Sequence, residues 1–215
     1  MSLANLNTNT QTKETQSGIT PEIALNLLKE GNERFVASGQ VNRNLIGQVN
    51  DTSTGQFPFA TVLSCIDSRV SSEIIFDQGI GDIFSIRIAG NFINSDILGS
   101  MEFACKLAGT KIIVVLGHTS CGAVKGACDN ASLGNLTSML GKIRPAVNAV
   151  SEPADKSQRN SGNIDFVNNV ARRNVEMSIK RIKDESSVLA EMAENGDISI
   201  VGGMYDIATG EVTFF

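Results

Sequence analysis

The sequence predicts an α/β fold, a three-layer sandwich built around a central, mostly parallel β-sheet. Three short apolar runs, at residues 58–65, 82–88 and 110–117, are nearly continuous, which is typical of strands buried on both faces of a parallel sheet. Helical patterns separate these runs, at 71–78 and 95–108. Strands that alternate with helices favour right-handed crossovers, with helices on both faces of the sheet. We expect four parallel strands, one further edge strand and an N-terminal helical arm.

The N-terminal segment is predicted to contain a tail and then the arm. Residues 1–18 are polar and contain no apolar run, a composition that favours disorder. Thr20 and Pro21 form a helix start, because Thr is a good N-cap and Pro suits the first helical position. We therefore predict a disordered tail at 1–18, a helical arm at 20–39 and a single α/β domain at 19–215.

The C-terminal half is predicted to add helices and then two strands. A short helix follows Cys121, and a helical segment covers 132–149 with Pro145 inside it. The longest helical pattern covers 163–195 and ends at Asn195-Gly196, where glycine is a common helix stop. A fourth strand is expected at 197–203, and the edge strand at 211–215.

Size and charge exclude several classes of protein. The chain has 215 residues and a net charge of −5, which argues against nucleic acid and anionic membranes as partners. No apolar stretch is long enough for a transmembrane helix. Four cysteines in a chain of this length do not form a disulfide framework. We expect a cytoplasmic protein. The alternative is a periplasmic or exported one, if Met1-Ser2-Leu3 has replaced an export signal.

A metal site is predicted where two of the strands end. The chain has one histidine, His118, which follows the third apolar run and precedes Cys121 by three residues. Cys65 follows the first run. Ligands of open parallel sheets bind beyond the carboxyl ends of strands. If the first and third strands are neighbours, these three side chains meet, and they form a ligand set that zinc accepts with a fourth position open.

Two charged residues next to Cys65 give the predicted site a catalytic character. In extended chain Asp67 and Arg69 lie on the same face as Cys65. Arg69 can hold the Asp67 carboxylate away from the metal, so that Asp67 orients a zinc-bound hydroxide. A surface ion pair, a structural zinc site and a catalytically silent zinc-binding or redox-sensing protein remain open alternatives.

The two motifs, Cys65-Ile-Asp67-Ser-Arg69 and His118-Thr-Ser-Cys121-Gly122, resemble those of the β class of carbonic anhydrases, and the similarity covers most of the chain. The resemblance implies a zinc-dependent catalytic domain, with one Zn²⁺ per chain on Cys65, His118 and Cys121 and with Asp67 and Arg69 as a catalytic pair. It implies reversible hydration of CO₂ to bicarbonate and a proton. Substrate-pocket positions are then Gln56, Phe84, Ala89, Phe103 and Gly122.

The resemblance also implies an assembly, a homodimer or homotetramer in which the first helix embraces the partner. Gln56 and Phe84 would then serve the neighbouring subunit's zinc. A hydrolase of CO₂ analogues, such as carbonyl sulfide or carbon disulfide, is the alternative enzyme on the same scaffold. The metal ligands do not separate the two activities.

Overall fold

The computed structural model describes residues 9–215 and contains one five-stranded sheet in the order β2-β1-β3-β4-β5. The strands are β1 (Ala60–Ser64), β2 (Ile83–Arg87), β3 (Ile112–His118), β4 (Ser199–Tyr205) and β5 (Val212–Phe214). The first four run parallel, and β5 pairs antiparallel with β4. The predicted fold class is therefore confirmed. Strands β1 and β3 are neighbours, with β2 on the outer side of β1, so the carboxyl ends of β1 and β3 lie side by side.

Helices connect the strands in the predicted alternation. They are α1 (Lys13–Ser17), α2 (Pro21–Val36), α3 (Leu45–Thr52), α4 (Ser72–Ile75), α5 (Ser95–Glu102), α6 (Gly122–Cys128), α7 (Gly134–Gly141), α8 (Arg144–Ala149), α9 (Ile164–Glu185) and α10 (Ser187–Glu194). A π-helical turn, Phe103–Leu107, extends α5, and a 3₁₀ turn spans Lys156–Gln158. None of the helices in the described part of the chain has the length and apolarity needed to cross a membrane.

The sheet lies between two apolar layers. Along β3, Ile112, Val114 and Leu116 belong to the cluster that α2 covers, whereas Ile113 and Val115 belong to a cluster that includes side chains of α9. This alternation follows from the two-residue repeat of a strand. Both β1 and β3 are buried along their whole length, so the three-layer prediction is confirmed and the strand ends are rigidly held.

The arm helix α2 packs against the core of its own chain. Thr20 caps it by accepting a hydrogen bond from the Ile23 N–H, and Pro21 occupies the first turn. Its side chains Ala24, Leu27 and Leu28 are fully buried in the sheet cluster. The helix ends at Val36 instead of continuing to residue 39, with Ala37 as its C-cap.

The prediction of a disordered tail at 1–18 is wrong for its second half. Residues 13–17 form α1, and Thr12 and Thr15 cap it reciprocally. Gln16 is buried, and its Nε2 donates to the carbonyl oxygens of Pro58 and Ala108. The polar composition concealed a capping box and one side chain that bonds to distant backbone. Residues 1–8 lie outside the described part of the chain.

Two predicted helices are each divided in two. The 163–195 pattern breaks at Ser186, which has extended backbone, caps α10 by accepting from the Leu189 N–H and donates to Glu102. The 132–149 pattern breaks between α7 and α8, where Pro145 stands in the first turn of α8. In both cases a residue that favours a helix start interrupts a continuous apolar pattern.

Candidate metal centre

The carboxyl ends of β1 and β3 bring the three predicted ligands together. Cys65 directly follows β1, His118 is the last residue of β3, and Cys121 immediately precedes α6. All three side chains are buried, and their ligating atoms lie within 4.8 Å of one another. The Sγ atoms of Cys65 and Cys121 are 4.0 Å apart. Residues that are 53 positions apart in sequence therefore form one compact cluster of two sulfurs and an imidazole.

The carbonyl group of the next residue, Thr119, fixes the orientation of the His118 imidazole. The Nδ1 atom of His118 lies 3.0 Å from the carbonyl oxygen of Thr119, which places the proton on Nδ1. Thr119 is itself held by β4 and its loop, because its N–H donates to Tyr205 O and its Oγ1 accepts from the Ile207 N–H. The lone pair of Nε2 is thus left available for a ligand.

The Nε2 atom of His118 is buried and has no hydrogen-bond partner among the described residues. A buried polar atom without a partner costs free energy. Two thiolates and a neutral imidazole balance the charge of Zn²⁺, and catalytic zinc sites use three protein ligands of these types. The residues present therefore fit a zinc ion, which would give Nε2 the partner it lacks.

The two thiols interact directly, and this interaction shifts the pKa of each in opposite directions. A hydrogen bond from Cys121, assisted by the Gly90 N–H, lowers the pKa of Cys65 to about 4 even though burial opposes this change. The hydrogen bond to Cys65, together with burial, raises the pKa of Cys121. The hydrogen bond between the sulfurs therefore favours ionisation of Cys65 before Cys121, and a divalent cation would displace the protons that remain.

Gly90 is required by the geometry beside Cys65. Its N–H donates to Cys65 Sγ at 3.3 Å, and its φ is +80°. A Cβ atom at this position would lie 2.4 Å from Ile143 Cδ1. Both the left-handed conformation and the lack of space favour glycine here. Gly90 and Thr119 are two site residues that the sequence analysis missed.

Asp67 and Arg69 form the predicted pair at the mouth of the cluster. The Arg69 Nε and Nη2 atoms donate to the two oxygens of Asp67 at 2.9 and 2.8 Å, and the Arg69 N–H also donates to Oδ1. These hydrogen bonds hold the pKa of Asp67 well below its usual range. Asp67 Oδ2 lies 4.0 Å from His118 Nε2, so the carboxylate is close to the cluster yet occupied by Arg69.

Arg87, at the end of β2, fixes the backbone of this segment. Its Nε donates to the carbonyl oxygen of Cys65 at 3.0 Å, and its Nη2 donates to that of Asp67 at 2.7 Å. One guanidinium thus connects the edge strand to the backbone on both sides of Ile66. Cys65 and Asp67 are held in a fixed relation by a residue 20 positions further along the chain.

The structure brings only some of the predicted pocket residues to the cluster. Ala89 precedes Gly90, whose N–H donates to the Cys65 sulfur, and Gly122 follows Cys121, so both are next to cluster residues along the chain. Phe84 and Phe103 contact each other with ring centroids 6.3 Å apart, and both line an open groove of about 650 Å³. Gln56 is exposed in the segment before β1. No contact recorded among the described residues joins Gln56, Phe84 or Phe103 to the three ligands of this chain.

Comparisons with known proteins agree on one family. The family model described as carbonic anhydrase matches residues 60–212. The chain is 39% identical over 191 residues to carbonic anhydrase 2 of Mycobacterium tuberculosis, a match that covers 88% of this chain and 90% of that relative.

Solved structures give the same family. The β-carbonic anhydrase CcaA is similar at 26% identity and a TM-score of 0.70, covering 89% of this chain and 94% of that one. A structure from a study of two tetrameric β-carbonic anhydrases of Sordaria macrospora is similar at 25% identity and a TM-score of 0.65, covering 77% and 84%.

Proposed function

The chain belongs to the carbonic anhydrase family, in its β class, and we propose that it catalyses the reversible hydration of CO₂ to bicarbonate and a proton. The proposed cofactor is one Zn²⁺ per chain, held by Cys65, His118 and Cys121. One observation carries the proposal. The buried Cys–His–Cys cluster leaves His118 Nε2 without a partner, and a carboxylate locked by arginine stands 4.0 Å away from that atom.

When bound, zinc supplies a nucleophile at neutral pH, because it lowers the pKa of a coordinated water; the value of about 7 belongs to the three-histidine carbonic anhydrases. The chain contributes the orientation of the ligands. Thr119 fixes the tautomer of His118, and Gly90 donates to the Cys65 sulfur. Such hydrogen bonds behind the ligands commonly determine metal affinity and ligand direction.

Asp67 and Arg69 act as a unit in the proposed reaction. A carboxylate this close to the cluster is itself a good zinc ligand, and it would fill the position that the reaction needs. Arg69 occupies both Asp67 oxygens and so prevents this. Because its pKa is lowered by Arg69, Asp67 stays ionised and can accept a hydrogen bond from an O–H group in the site.

The substrate pocket is proposed to be completed by a second copy of the chain. Ala89 and Gly122 offer small, mostly apolar surface beside the sulfurs, which suits an uncharged molecule such as CO₂. Phe103 is half exposed although it is a large apolar side chain. Related structures are described as tetrameric. A homodimer or homotetramer in which Gln56, Phe84 and Phe103 serve the neighbouring site accounts for their distance from the ligands of their own chain.

We also propose a cytoplasmic location. All four cysteines are free thiols in this structure, and the two at the cluster must stay reduced to bind a metal. Reducing compartments maintain thiols in this state, whereas export favours disulfides.

The proposal is tested by measuring metal content and CO₂ hydration in the same sample. We expect about one zinc per chain in the unaltered protein. Cys65→Ala, His118→Ala and Cys121→Ala should each lose most of the zinc and nearly all turnover, since three ligands leave no redundancy. Cys105→Ala and Cys128→Ala are matched controls, because both thiols are buried outside the cluster, and they should retain both properties.

Other results would assign the chain differently. Zinc binding without CO₂ hydration would favour a silent zinc-binding protein, and faster hydrolysis of carbonyl sulfide or carbon disulfide would favour the alternative enzyme. Full zinc content and turnover in Cys121→Ala would contradict the ligand assignment itself.

A further inference from the structure

Two asparagines of α9 hold the two loops that carry the metal ligands. Asn174 is buried, and its Nδ2 donates to the carbonyl oxygen of Gly90 at 2.8 Å. Gly90 is the residue whose N–H donates to the Cys65 sulfur. Asn174 therefore restrains the peptide group on one side of Gly90 while the other side contacts the thiolate.

The second asparagine acts on the turn between the other two ligands. Asn168 Oδ1 accepts a hydrogen bond from the Ser120 N–H at 2.9 Å. Ser120 lies between His118 and Cys121 and has a φ of +55°, a conformation that non-glycine residues adopt at a cost. The hydrogen bond from Asn168 helps to hold this strained turn, which sets the distance between the imidazole and the Cys121 sulfur.

Helix α9 is a rigid support for both contacts. It spans 22 residues and packs directly against β3 next to the ligands. A Cβ atom on Gly117, the residue before His118, would lie 2.7 Å from Val175 Cγ2, so the helix and the strand are in close contact at this point. Asn168 and Asn174 are about 9 Å apart along the helix axis, at roughly 1.5 Å per residue, so that one element reaches both loops.

We propose that Asn168 and Asn174 are positioning residues for the metal centre: Asn174 holds the Gly90 N–H on the Cys65 sulfur, and Asn168 holds the turn that spaces His118 from Cys121. This inference rests on the proposed zinc site. It assigns the orientation of the ligands to α9, which contributes no ligand itself. An N–H donor on a thiolate sulfur withdraws electron density from it, so loss of the Asn174 restraint should make the sulfur a stronger donor to the metal.

The test uses Co²⁺ in place of Zn²⁺, because the thiolate-to-cobalt charge-transfer band reports on the sulfur directly. In Asn174→Ala we expect this band to move to lower energy, because the sulfur donates more strongly. We also expect metal release to a chelator to accelerate about 10- to 100-fold, because the loop that positions Cys65 is no longer held and this loss outweighs the stronger donation. In Asn168→Ala we expect the band to keep its energy, since no hydrogen bond to the sulfur of Cys65 or of Cys121 is removed, and metal release to accelerate by a similar factor.

Two further asparagines of the same helix region serve as controls. Asn169 is exposed, so Asn169→Ala should change neither readout. Asn163 caps α9 by accepting from the Phe166 N–H, so Asn163→Ala should lower the midpoint of denaturant unfolding and leave the band and the release rate unchanged. If Asn174→Ala is recovered unfolded, Asn174→Ser replaces it, with a donor too short to reach Gly90, and the same changes are expected.

Several results would overturn the inference. If Asn168→Ala releases the metal no faster than Asn169→Ala does, Asn168 is not a positioning residue. If Asn174→Ala changes neither the band energy nor the rate of metal release, Asn174 is not one. If metal release accelerates equally in Asn163→Ala, general loss of helix stability explains the faster release in the other variants. An unaltered chain that shows the Co²⁺ band but no CO₂ hydration would contradict the proposed function alone, whereas one that binds no Co²⁺ would contradict both.

Discussion

Two aspartates ten residues apart, Asp67 and Asp77, are both held by arginine, but in opposite surroundings. The Asp67 side chain is 16% exposed and its partner Arg69 is 54% exposed. The Asp77 side chain is 4% exposed, and its partners Arg43 and Arg34 are 5% and 21% exposed. The first pair lies beside the Cys–His–Cys cluster, and the second is enclosed by α2 and the loop after it.

The positions of the arginines in the sequence explain why one aspartate is near the cluster mouth and the other is enclosed. Arg69 is two residues from Asp67, so the pair forms locally and leaves the carboxylate near the site mouth. Arg34 and Arg43 come from α2 and the loop after it, and the Val41 N–H also donates to Asp77. The Asp77 cluster therefore joins distant segments, whereas the Asp67 pair prepares one functional group. We therefore expect similar chemistry to serve stability in one place and the proposed reaction in the other.

The largest expected effect is on turnover at Asp67. Asp67→Asn removes the ionised acceptor near the cluster, and we expect CO₂ hydration to fall by about 10²- to 10⁴-fold, the usual range for a positioned acid or base. Zinc content and the free energy of unfolding should change little, because the two residues are only two positions apart and the Arg69 side chain stays half exposed to water. Equal loss of activity and of stability would show that the two aspartates do not differ in role.

The same substitution at Asp77 should lower the free energy of unfolding and leave turnover unchanged. Asp77→Asn leaves the buried guanidinium of Arg43 and the partly exposed one of Arg34 without their counter-charge, and we expect the free energy of unfolding to fall by about 3–5 kcal/mol. Asp77 has a φ of +45°, which asparagine tolerates, so the change adds no backbone strain. Denaturant unfolding measures the loss. Turnover per folded, zinc-loaded chain should be retained, and a selective loss of turnover would break the comparison.

A third aspartate, Asp82, sharpens the comparison because it is buried without a directly bonded arginine. Burial raises its pKa to about 6, although the Gly79 N–H and the charge of Arg43 oppose the rise. The folded chain then binds more protons than the unfolded chain between about pH 4 and 6, so this residue's contribution to stability decreases as pH rises through that window.

Asp82→Asn should therefore increase the free energy of unfolding at pH 7 by about 1–3 kcal/mol, with about 1.4 kcal/mol per unit of pKa as the conversion. Most of the gain should be lost near pH 4, where the aspartate is neutral in the folded chain and about half protonated in the unfolded chain. Unfolding curves of both proteins at pH 4, 5, 6 and 7 measure this. A gain that is independent of pH would contradict the assignment to Asp82.

The smallest effect is expected for an ion pair that is fully at the surface. Lys180 and Asp184 pair one turn apart on α9, with side chains 75% and 51% exposed. Lys180→Ala should change the free energy of unfolding by no more than about 0.5 kcal/mol and leave turnover unchanged. A loss comparable to that of Asp77→Asn would mean that burial does not account for the difference between the aspartate clusters.

The sheet and the ligand cluster could be predicted because their signals are local. Continuous apolar runs indicate buried parallel strands, and Cys65, His118 and Cys121 each stand at a strand end or the turn after one. The roles of Asn168, Asn174 and Thr119 could not be predicted. An asparagine in a helical pattern looks the same whether it faces solvent or a carbonyl group 84 residues away in sequence.

Helix breaks and the ordered segment before α2 were missed for a related reason. Ser186 interrupts an apolar repeat that remains in phase on both sides, and its capping hydrogen bond is visible only in three dimensions. Gln16 is polar, yet it is buried because two carbonyl oxygens from distant loops accept from it. Partners of this kind depend on the tertiary fold and leave no periodic pattern.

The contact between Thr119 and Tyr205 has a consequence for the order in which the chain is made. All three ligands have been synthesised once residue 121 has left the ribosome, but the Thr119 N–H has no acceptor until β4 joins the sheet. The turn after His118 also lacks its hydrogen bond to Asn168 until α9 has formed. We expect nascent chains that end before residue 199 to bind zinc weakly, so that metal loading follows the completion of nearly the whole polypeptide.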